Sequence, residues 1–232
     1  MLILNVVCLL LKILQRPLQK RMETNMLQKI LMASFTIFAL NSSAQAQQTT
    51  EWSNATANGN GCPVGTSVVT ITPGGDEIAW TFDAFGFDLT APASASRFCR
   101  LSASAKIAAG YYLGELTQEL SYAGIKSQWG SRLSVGAQSR FFGFNLPQIS
   151  REYPQGTALN SLFETLRSQD NFAVLAPPSY FCRPGANLSG LFQATLSANG
   201  QVFPDGGSAS LSVQGHNVTF KAKSGWVACP PS

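Results

Sequence analysis

The chain contains very little that could perform nucleophilic or acid–base catalysis through histidine. His216 is its one histidine, and it stands between Gly215 and Asn217 in a predicted hairpin turn. A Ser-His-Asp or Cys-His site would have to use this side chain. An exposed turn residue is the simpler interpretation, so we predict no catalytic residue here.

Carboxylates are the second group that could do chemistry. Glu115 with Glu119, and Asp83 with Asp88, are spaced closely enough to suggest the two acids that glycoside hydrolysis needs. Solvated surface charge is the simpler interpretation of all four. The acids do not follow the spacing of a calcium-binding loop, and the chain has no C-x-x-C pair, so we predict no metal and no cofactor.

Aromatic side chains could bind a ligand without catalysis. Trp52 and Trp129 lie near predicted loops or strand ends, where an exposed ring can stack on the apolar face of a sugar. Core packing is the alternative, and it is the interpretation we favour for Trp80 and Trp226. For Trp52 and Trp129 both interpretations stay open, and we predict them as ligand-face aromatics.

Residues 1–46 have the layout of a leader that ends in a signal peptide. Lys29 is followed by the apolar run Ile30 to Leu40 and then by small residues ending at Ala46. A membrane-spanning helix needs roughly 20 apolar residues, more than this run supplies. We predict translation from Met26, cleavage after Ala46, and a secreted or periplasmic protein without a stable membrane anchor.

Four cysteines follow the predicted cleavage site. Cys62, Cys99, Cys182 and Cys229 most simply form two disulfides in an exported chain. Three pairings are possible. We favour Cys62–Cys99 with Cys182–Cys229, because each pair brackets a separate strand-rich block.

Net charge gives no indication of a polyanionic partner. The leader holds five of the 16 basic residues and one of the 12 acidic ones, which leaves 11 of each sign after cleavage. The predicted mature chain is therefore neutral, and we predict no nucleic-acid partner. Its sequons at Asn54, Asn187 and Asn217 matter only in a host that glycosylates exported chains.

Hydrophobic patterning places these residues mostly on β-strands. Ile78, Trp80 and Phe82 alternate with polar or small residues, which is typical of a half-buried strand. Similar short strands and glycine-rich turns recur to the end of the chain. They predict an antiparallel β-sandwich or jelly-roll in a single secreted domain, residues 62–232.

Two segments depart from this strand pattern. Residues 47–61 are polar and end in Asn58-Gly59-Asn60-Gly61, which predicts a flexible tail. In the segment Thr157 to Asp170, apolar residues recur at helical spacing, so we predict one short helix there.

The chain also resembles domain-of-unknown-function family 4360, from about Gly59 to Cys229. The segments that carry the resemblance are Gly59 to Thr66, Phe82 to Phe85, Arg97 to Leu101 and Trp226 to Cys229, with the order and spacing of the four cysteines. The resemblance implies a secreted, disulfide-bonded β protein. It implies no activity and no catalytic residues.

These observations together predict a non-enzymatic binding or structural protein at the cell envelope or in the medium. Polysaccharide or another envelope component is the partner that the aromatic residues favour. The alternative is a secreted glycan hydrolase that uses an Asp/Glu pair. The sequence does not specify the oligomeric state.

Overall fold

The computed structural model describes residues 50–127, 129–183, 188–212 and 217–231. The predicted leader with its signal peptide Met26–Ala46, the sequon residue Asn187 and His216 lie outside the described residues. The described residues belong to one compact unit. Within the described part of the chain, no helix has both the length and the apolar character needed to cross a bilayer.

Within the described residues, thirteen strands form two antiparallel sheets, as the strand patterning predicts. The first sheet contains β1 (Thr50–Asn58), β5 (Ala93–Ile107), β11 (Ser189–Val202), β7 (Ser131–Phe141) and β8 (Phe144–Asn145) in this spatial order, with β9 (Ile149–Tyr153) also paired to β7. The second sheet contains β2 (Ser67–Ile71), β3 (Glu77–Phe82), β13 (Val218–Ala228), β6 (Tyr111–Lys126), β12 (Ser208–Leu211) and β4 (Phe87–Thr90) in this order. β13 and β12 pair with successive parts of one side of β6, and β10 (Leu159–Asn171) pairs with the opposite side. Two single-turn helices, α1 (Phe172–Leu175) and α2 (Pro178–Phe181), follow β10.

The core lies between the inner faces of the two sheets. Trp80 of the second sheet stacks on Phe192 of the first at 5.9 Å between ring centroids, and Phe220 stacks on Phe192 at 6.2 Å. All three side chains are fully buried. Burying large rings against each other is the main favourable contribution to such a sandwich.

Both predicted disulfides are confirmed. Cys62–Cys99 ties the loop after β1 to the middle of β5, and Cys182–Cys229 ties the segment after α2 to the end of β13. Each closes a loop of similar size, with sequence separations of 37 and 47. In the chain-entropy model each loop is worth about 4 kcal/mol.

The predicted helix at Thr157 to Asp170 is wrong, because most of that segment is strand β10. Its backbone pairs with β6 from Leu159 opposite Lys126 to Asn171 opposite Glu115. This long ladder satisfies the backbone hydrogen bonds that a lone amphipathic helix would satisfy internally.

The predicted flexible tail is also wrong where the structure describes it. Residues Thr50–Asn58 are strand β1, which pairs with β5 from Thr50 opposite Ile107 to Asn58 opposite Arg100. β5 would otherwise present one side as an unpaired edge.

Candidate functional site

A groove of about 590 Å³ crosses the outer face of the first sheet. Side chains alternate between core and solvent along β5, β11 and β7, so each strand turns its polar residues toward this face. In the register of the sheet, Ser96 lies opposite Asn199, Asn199 opposite Ser134, and Ser134 opposite Glu152. We call these four residues, one from each of four neighbouring strands, the polar row.

Hydrogen bonds join three of the four residues of the polar row. Ser96 Oγ donates to Asn199 Oδ1 at 2.8 Å, and Asn199 Nδ2 donates to Ser134 Oγ at 3.4 Å. Asn199 is thereby fixed in orientation from both sides. A pre-oriented line of hydroxyl, amide and carboxylate groups can both donate and accept hydrogen bonds, and a ligand that binds it loses little side-chain freedom.

A second depression of about 350 Å³ lies further along the same face. Arg100, Gln138, Arg140, Gln193 and Thr195 are among the residues that line it. Arg140 Nε donates to Gln193 Oε1 at 2.5 Å, which orients the guanidinium and the amide together. The described lining of this depression includes two arginines and no acid.

Phe98 presents an exposed ring between the two depressions. It occupies β5 between Ser96 of the polar row and Arg100 of the second depression, and it shares their side of the strand. The residue is 41% exposed, and Arg100 Cζ lies 5.9 Å from its ring centroid. Its backbone N–H donates to Asn60 Oδ1 at 2.7 Å and its carbonyl accepts from Gly61 N at 2.9 Å, so the ring stands on a fixed backbone.

A buried hydrogen-bond network lies beneath the groove. Tyr153 lines the groove, and its hydroxyl accepts from Tyr122 at 2.8 Å and donates to the Glu164 carboxylate. Arg151 lies 3.8 Å from that carboxylate. This network joins β9 of the first sheet to β6 and β10 of the second.

Burial controls the ionisation of both tyrosines. It raises the pKa of Tyr122 to about 12, because a phenolate would lose its hydration there. Burial and the hydrogen bond to Glu164 raise the pKa of Tyr153 well above its ordinary value. Both hydroxyls therefore stay protonated at neutral pH and act as hydrogen-bonding groups.

The structure separates the two tryptophans that the sequence predicts as ligand-face residues. Trp52 is only 6% exposed, stacks on Phe141 at 5.8 Å, and donates from Nε1 to the Gly75 carbonyl at 2.9 Å. It is a core residue that joins the first sheet to the β2–β3 turn, so its predicted place on a ligand face is wrong. Core packing, the alternative that the sequence left open, is what the structure shows.

Trp129 has the exposure that a ligand-face residue needs. It is 65% exposed in the β6–β7 connection, with its ring against Gly156. Along the chain it precedes Arg132 by three residues, and Gly156 follows Pro154 by two; both Arg132 and Pro154 line the groove. Trp129 therefore lies near the end of the groove that Arg132 and Pro154 line.

Of the predicted acid pairs, Glu115 and Glu119 project from the same strand, β6. Four residues along a strand separate their Cα atoms by about 13 Å. Glu119 forms an ion pair with Arg167 at 3.4 Å, and Glu115 accepts from Thr117 at 3.3 Å. Each carboxylate thus has a partner of its own on the outer face of the second sheet.

The other predicted pair is engaged in the same way. Asp83 accepts from Asn217 Nδ2 at 2.9 Å, and Asp88 accepts from Ser210 Oγ at 2.5 Å. Neither Asp83 nor Asp88 lines either of the two depressions. Among the described residues, no group of three or more His, Cys, Asp or Glu side chains could hold a metal ion.

Phe98, Asn199 and Glu152 were missed by the sequence analysis. The signal for Phe98 was present, because its phase along the strand is that of Arg100 and opposite to that of the buried Cys99. Asn199 and Glu152 could not have been recognised alone, since their significance depends on which strands are neighbours in the sheet.

Comparison with protein families matches a central segment of the chain. Residues 48–158 match the family model "Domain of unknown function (DUF4360)". The match spans β1 to β9 and ends before β10, β11 and β13. Comparison with curated proteins finds no match.

Solved structures show weak similarity to the chain. TmCBM61 in complex with β-1,4-galactotriose is 10% identical over 76% of this chain and 89% of that chain, with a TM-score of 0.25. The family 11 carbohydrate-binding module from Clostridium thermocellum is 9% identical over 78% and 91%, with a TM-score of 0.17. The enzymatically active domain of tailspike protein 4 of bacteriophage CBA120 is 16% identical over 78% and 20%, with a TM-score of 0.21. Similarity this weak shows no shared function with these proteins.

Proposed function

We propose that this chain is an exported, non-enzymatic protein that binds polysaccharide across the outer face of its first sheet. The observation that carries the proposal is the polar row beside the exposed ring of Phe98. A sugar ring offers hydroxyl groups around its rim and apolar C–H faces. A line of hydroxyl and amide side chains next to an aromatic ring complements both features.

The shape of the face suits an extended ligand. The groove and the second depression lie on one sheet face with Phe98 between them, so one polymer chain can contact all three. Concave surfaces with a few well-placed polar groups are the usual form of binding sites. Trp129, at the groove end, would extend the contact with a second ring.

The composition of the groove favours binding over hydrolysis. Glu152 is the one acid among the described residues that line it, whereas hydrolysis of a glycosidic bond uses two carboxyl groups at a set separation. The acids of the alternative hypothesis, such as Glu115 and Asp83, have partners elsewhere. No described feature favours a glycan hydrolase.

Export is part of the proposal. Two disulfides are typical of proteins that fold outside the cytosol, and the leader pattern before Ala46 fits that route. We also propose that the domain extends beyond the matched residues 48–158 to Cys229. β11 and β13 lie inside the two sheets, so the matched residues alone lack central strands.

The test is binding of the oxidised protein to soluble and insoluble polysaccharides, with Phe98→Ala as the diagnostic variant. A phenylalanine presents about 150–250 Å², and 41% exposure leaves about 60–100 Å² for a ligand to cover. At about 25 cal/mol per Å², full coverage is worth about 2 kcal/mol. We therefore expect an affinity loss of about five- to thirtyfold, depending on how much of the ring is covered.

Phe163→Ala is the matched control. Phe163 is 63% exposed on β10 of the second sheet, so the same substitution there removes an exposed ring from the other sheet. We expect Phe163→Ala to bind like the unaltered protein. Failure of the unaltered protein to bind any polysaccharide, or equal losses in the two variants, would contradict the proposal.

A further inference from the structure

Three arginines on the outer face of the first sheet have no acidic partner among the described residues. Arg100, Arg132 and Arg140 line the groove or the second depression, and none forms an ion pair with a residue that the structure describes. Arg140 Nε is bound to the neutral Gln193 amide, and Arg100 lies beside the Phe98 ring. Neither contact neutralises a guanidinium charge.

The outer face of the second sheet is organised differently. Its cations stand next to acids across neighbouring strands. The pairs are Lys221–Glu77 at 3.7 Å, Lys223–Asp76 at 4.0 Å and Arg167–Glu119 at 3.4 Å. The same chain therefore compensates its charges on one face and leaves three arginines uncompensated on the other.

The three arginines are spread along the length of the face. Arg132 and Arg140 lie eight residues apart on β7, which places their Cα atoms about 27 Å apart. Arg100 lies opposite Thr195, and Thr195 lies opposite Gln138, which stands between the two arginines of β7. Along the strand direction, Arg100 is therefore level with a point between Arg132 and Arg140. A single small anion could meet one of these arginines, whereas a linear polymer could meet all three.

Local acids do not cancel this charge. Glu152 is the one acid in the described lining of the groove, and Glu51 is paired with Lys106 at 3.9 Å near the end of β5. The predicted mature chain has no net charge, so attraction of an anion would have to come from a local positive patch such as this face. Guanidinium groups bind carboxylate and sulfate through paired hydrogen bonds.

We infer that the ligand is an anionic polysaccharide that carries carboxylate or sulfate groups along its length. This inference rests on the proposed function and specifies its ligand class. The arginines bind the charged groups, while the serine, threonine, asparagine and glutamine side chains between them bind the hydroxyls. That mixture favours a glycan over a nucleic acid. Among the described residues, Phe98 is the one exposed ring on the sheet face and Trp129 lies at the groove end, and two separate rings do not form a continuous platform for stacked bases.

The test compares polymers that differ in charge and little else. The oxidised protein is titrated with polygalacturonate and its methyl ester, with dextran sulfate and dextran, and with single-stranded DNA, each over a salt series. We expect at least tenfold tighter binding to one acidic polymer than to its neutral counterpart, and weaker binding as salt increases. The carboxylate and sulfate arms show which anion is preferred.

Variants then assign the charge effect to the face. Arg100→Gln, Arg132→Gln and Arg140→Gln keep a hydrogen-bonding side chain and remove the charge, and each should weaken binding of the acidic polymer about three- to fivefold. Binding to neutral polymers should change much less. Arg167→Gln is the control, since Arg167 lies on the second sheet. Circular dichroism of each variant checks that the fold is kept.

The outcomes separate the two proposals. Equal affinity for acidic and neutral polymers, with loss on Phe98→Ala, overturns the inference and leaves the proposed function standing. Acidic binding that is insensitive to all three arginine variants, or DNA binding as tight as glycan binding, also overturns the inference. Absence of binding to every glycan overturns the proposed function itself.

Discussion

Replacement of Trp52 by alanine should destabilise the protein severely, although the sequence marks Trp52 as a surface residue. The ring is 94% buried, which for a tryptophan removes roughly 190 Å² from water and is worth about 5 kcal/mol at 25 cal/mol per Å². Core truncations of this size cost about 3–5 kcal/mol in practice. The buried Gly75 carbonyl would also lose its donor, which adds about 1 kcal/mol or more.

Urea unfolding followed by far-ultraviolet circular dichroism measures this loss directly. We expect Trp52→Ala to lower the free energy of unfolding by about 5 kcal/mol. Trp52→Phe should lower the free energy of unfolding by less, because it keeps an aromatic ring against Phe141. Its main loss is the hydrogen bond to Gly75. Comparing the two variants separates the contribution of packing from that of the hydrogen bond.

Trp129→Ala is the matched control, because its ring is 65% exposed. Truncation of an exposed side chain should change the free energy of unfolding by less than about 1 kcal/mol. A loss below about 1.5 kcal/mol for Trp52→Ala, or equal losses for the two tryptophans, would refute the assignment of Trp52 to the core.

Two further predictions concern reduction and alkaline pH. Mild reductant on the folded protein should open Cys182–Cys229 before Cys62–Cys99, because the first pair is partly exposed and the second is fully buried. Alkylation and mass spectrometry should therefore find Cys182 and Cys229 modified first. Simultaneous opening of both disulfides would contradict this prediction. The free energy of unfolding should fall by about 1 kcal/mol or more between pH 9 and pH 11, because the pKa of Tyr122 is about 12 when folded and about 10 when unfolded, so the unfolded state loses its proton first. Tyr122→Phe should remove about 1 kcal/mol of that fall, and an unchanged pH dependence in this variant would count against the buried phenol.

Local patterns were sufficient to predict the fold class. The alternation of Ile78, Trp80 and Phe82 is confirmed in β3, where all three residues are fully buried. The pairing of the four cysteines is also confirmed. Both features depend on short-range spacing and on a simple partition of the chain into two blocks.

The segment Leu159 to Asp170 shows where local patterns were insufficient. Its apolar residues fit a helical period, yet Phe163 is 63% exposed in the structure and Leu166 is only partly buried. In the strand, Glu164, Leu166 and Ser168 alternate with more exposed neighbours, but the residue types themselves do not alternate between apolar and polar. The presence of β6 as a partner decided between the two, and that contact is not visible from the segment itself.

The candidate site was predictable only in part. Trp129 was singled out by type and by its place in a connection; it is 65% exposed, and its role on a ligand face stays a prediction. The polar row was not, because Ser96, Asn199 and Ser134 come from three distant parts of the chain. The order β5, β11, β7 is a property of non-local pairing, so no window of sequence contains it.

Chain order and spatial order differ most at the centres of the two sheets. β11 lies between β5 and β7, and β13 lies between β3 and β6. Thr219 of β13 meets Thr81 of β3 across a separation of 138 residues, so at about 5–20 residues per second a ribosome needs roughly 7–30 s to supply the partner of β3. The first sheet cannot close before β11 has been made, and the second cannot close before β13 has been made. The strands made first therefore wait for their central partners during much of synthesis, which favours the unfolded state that a secretory channel can thread.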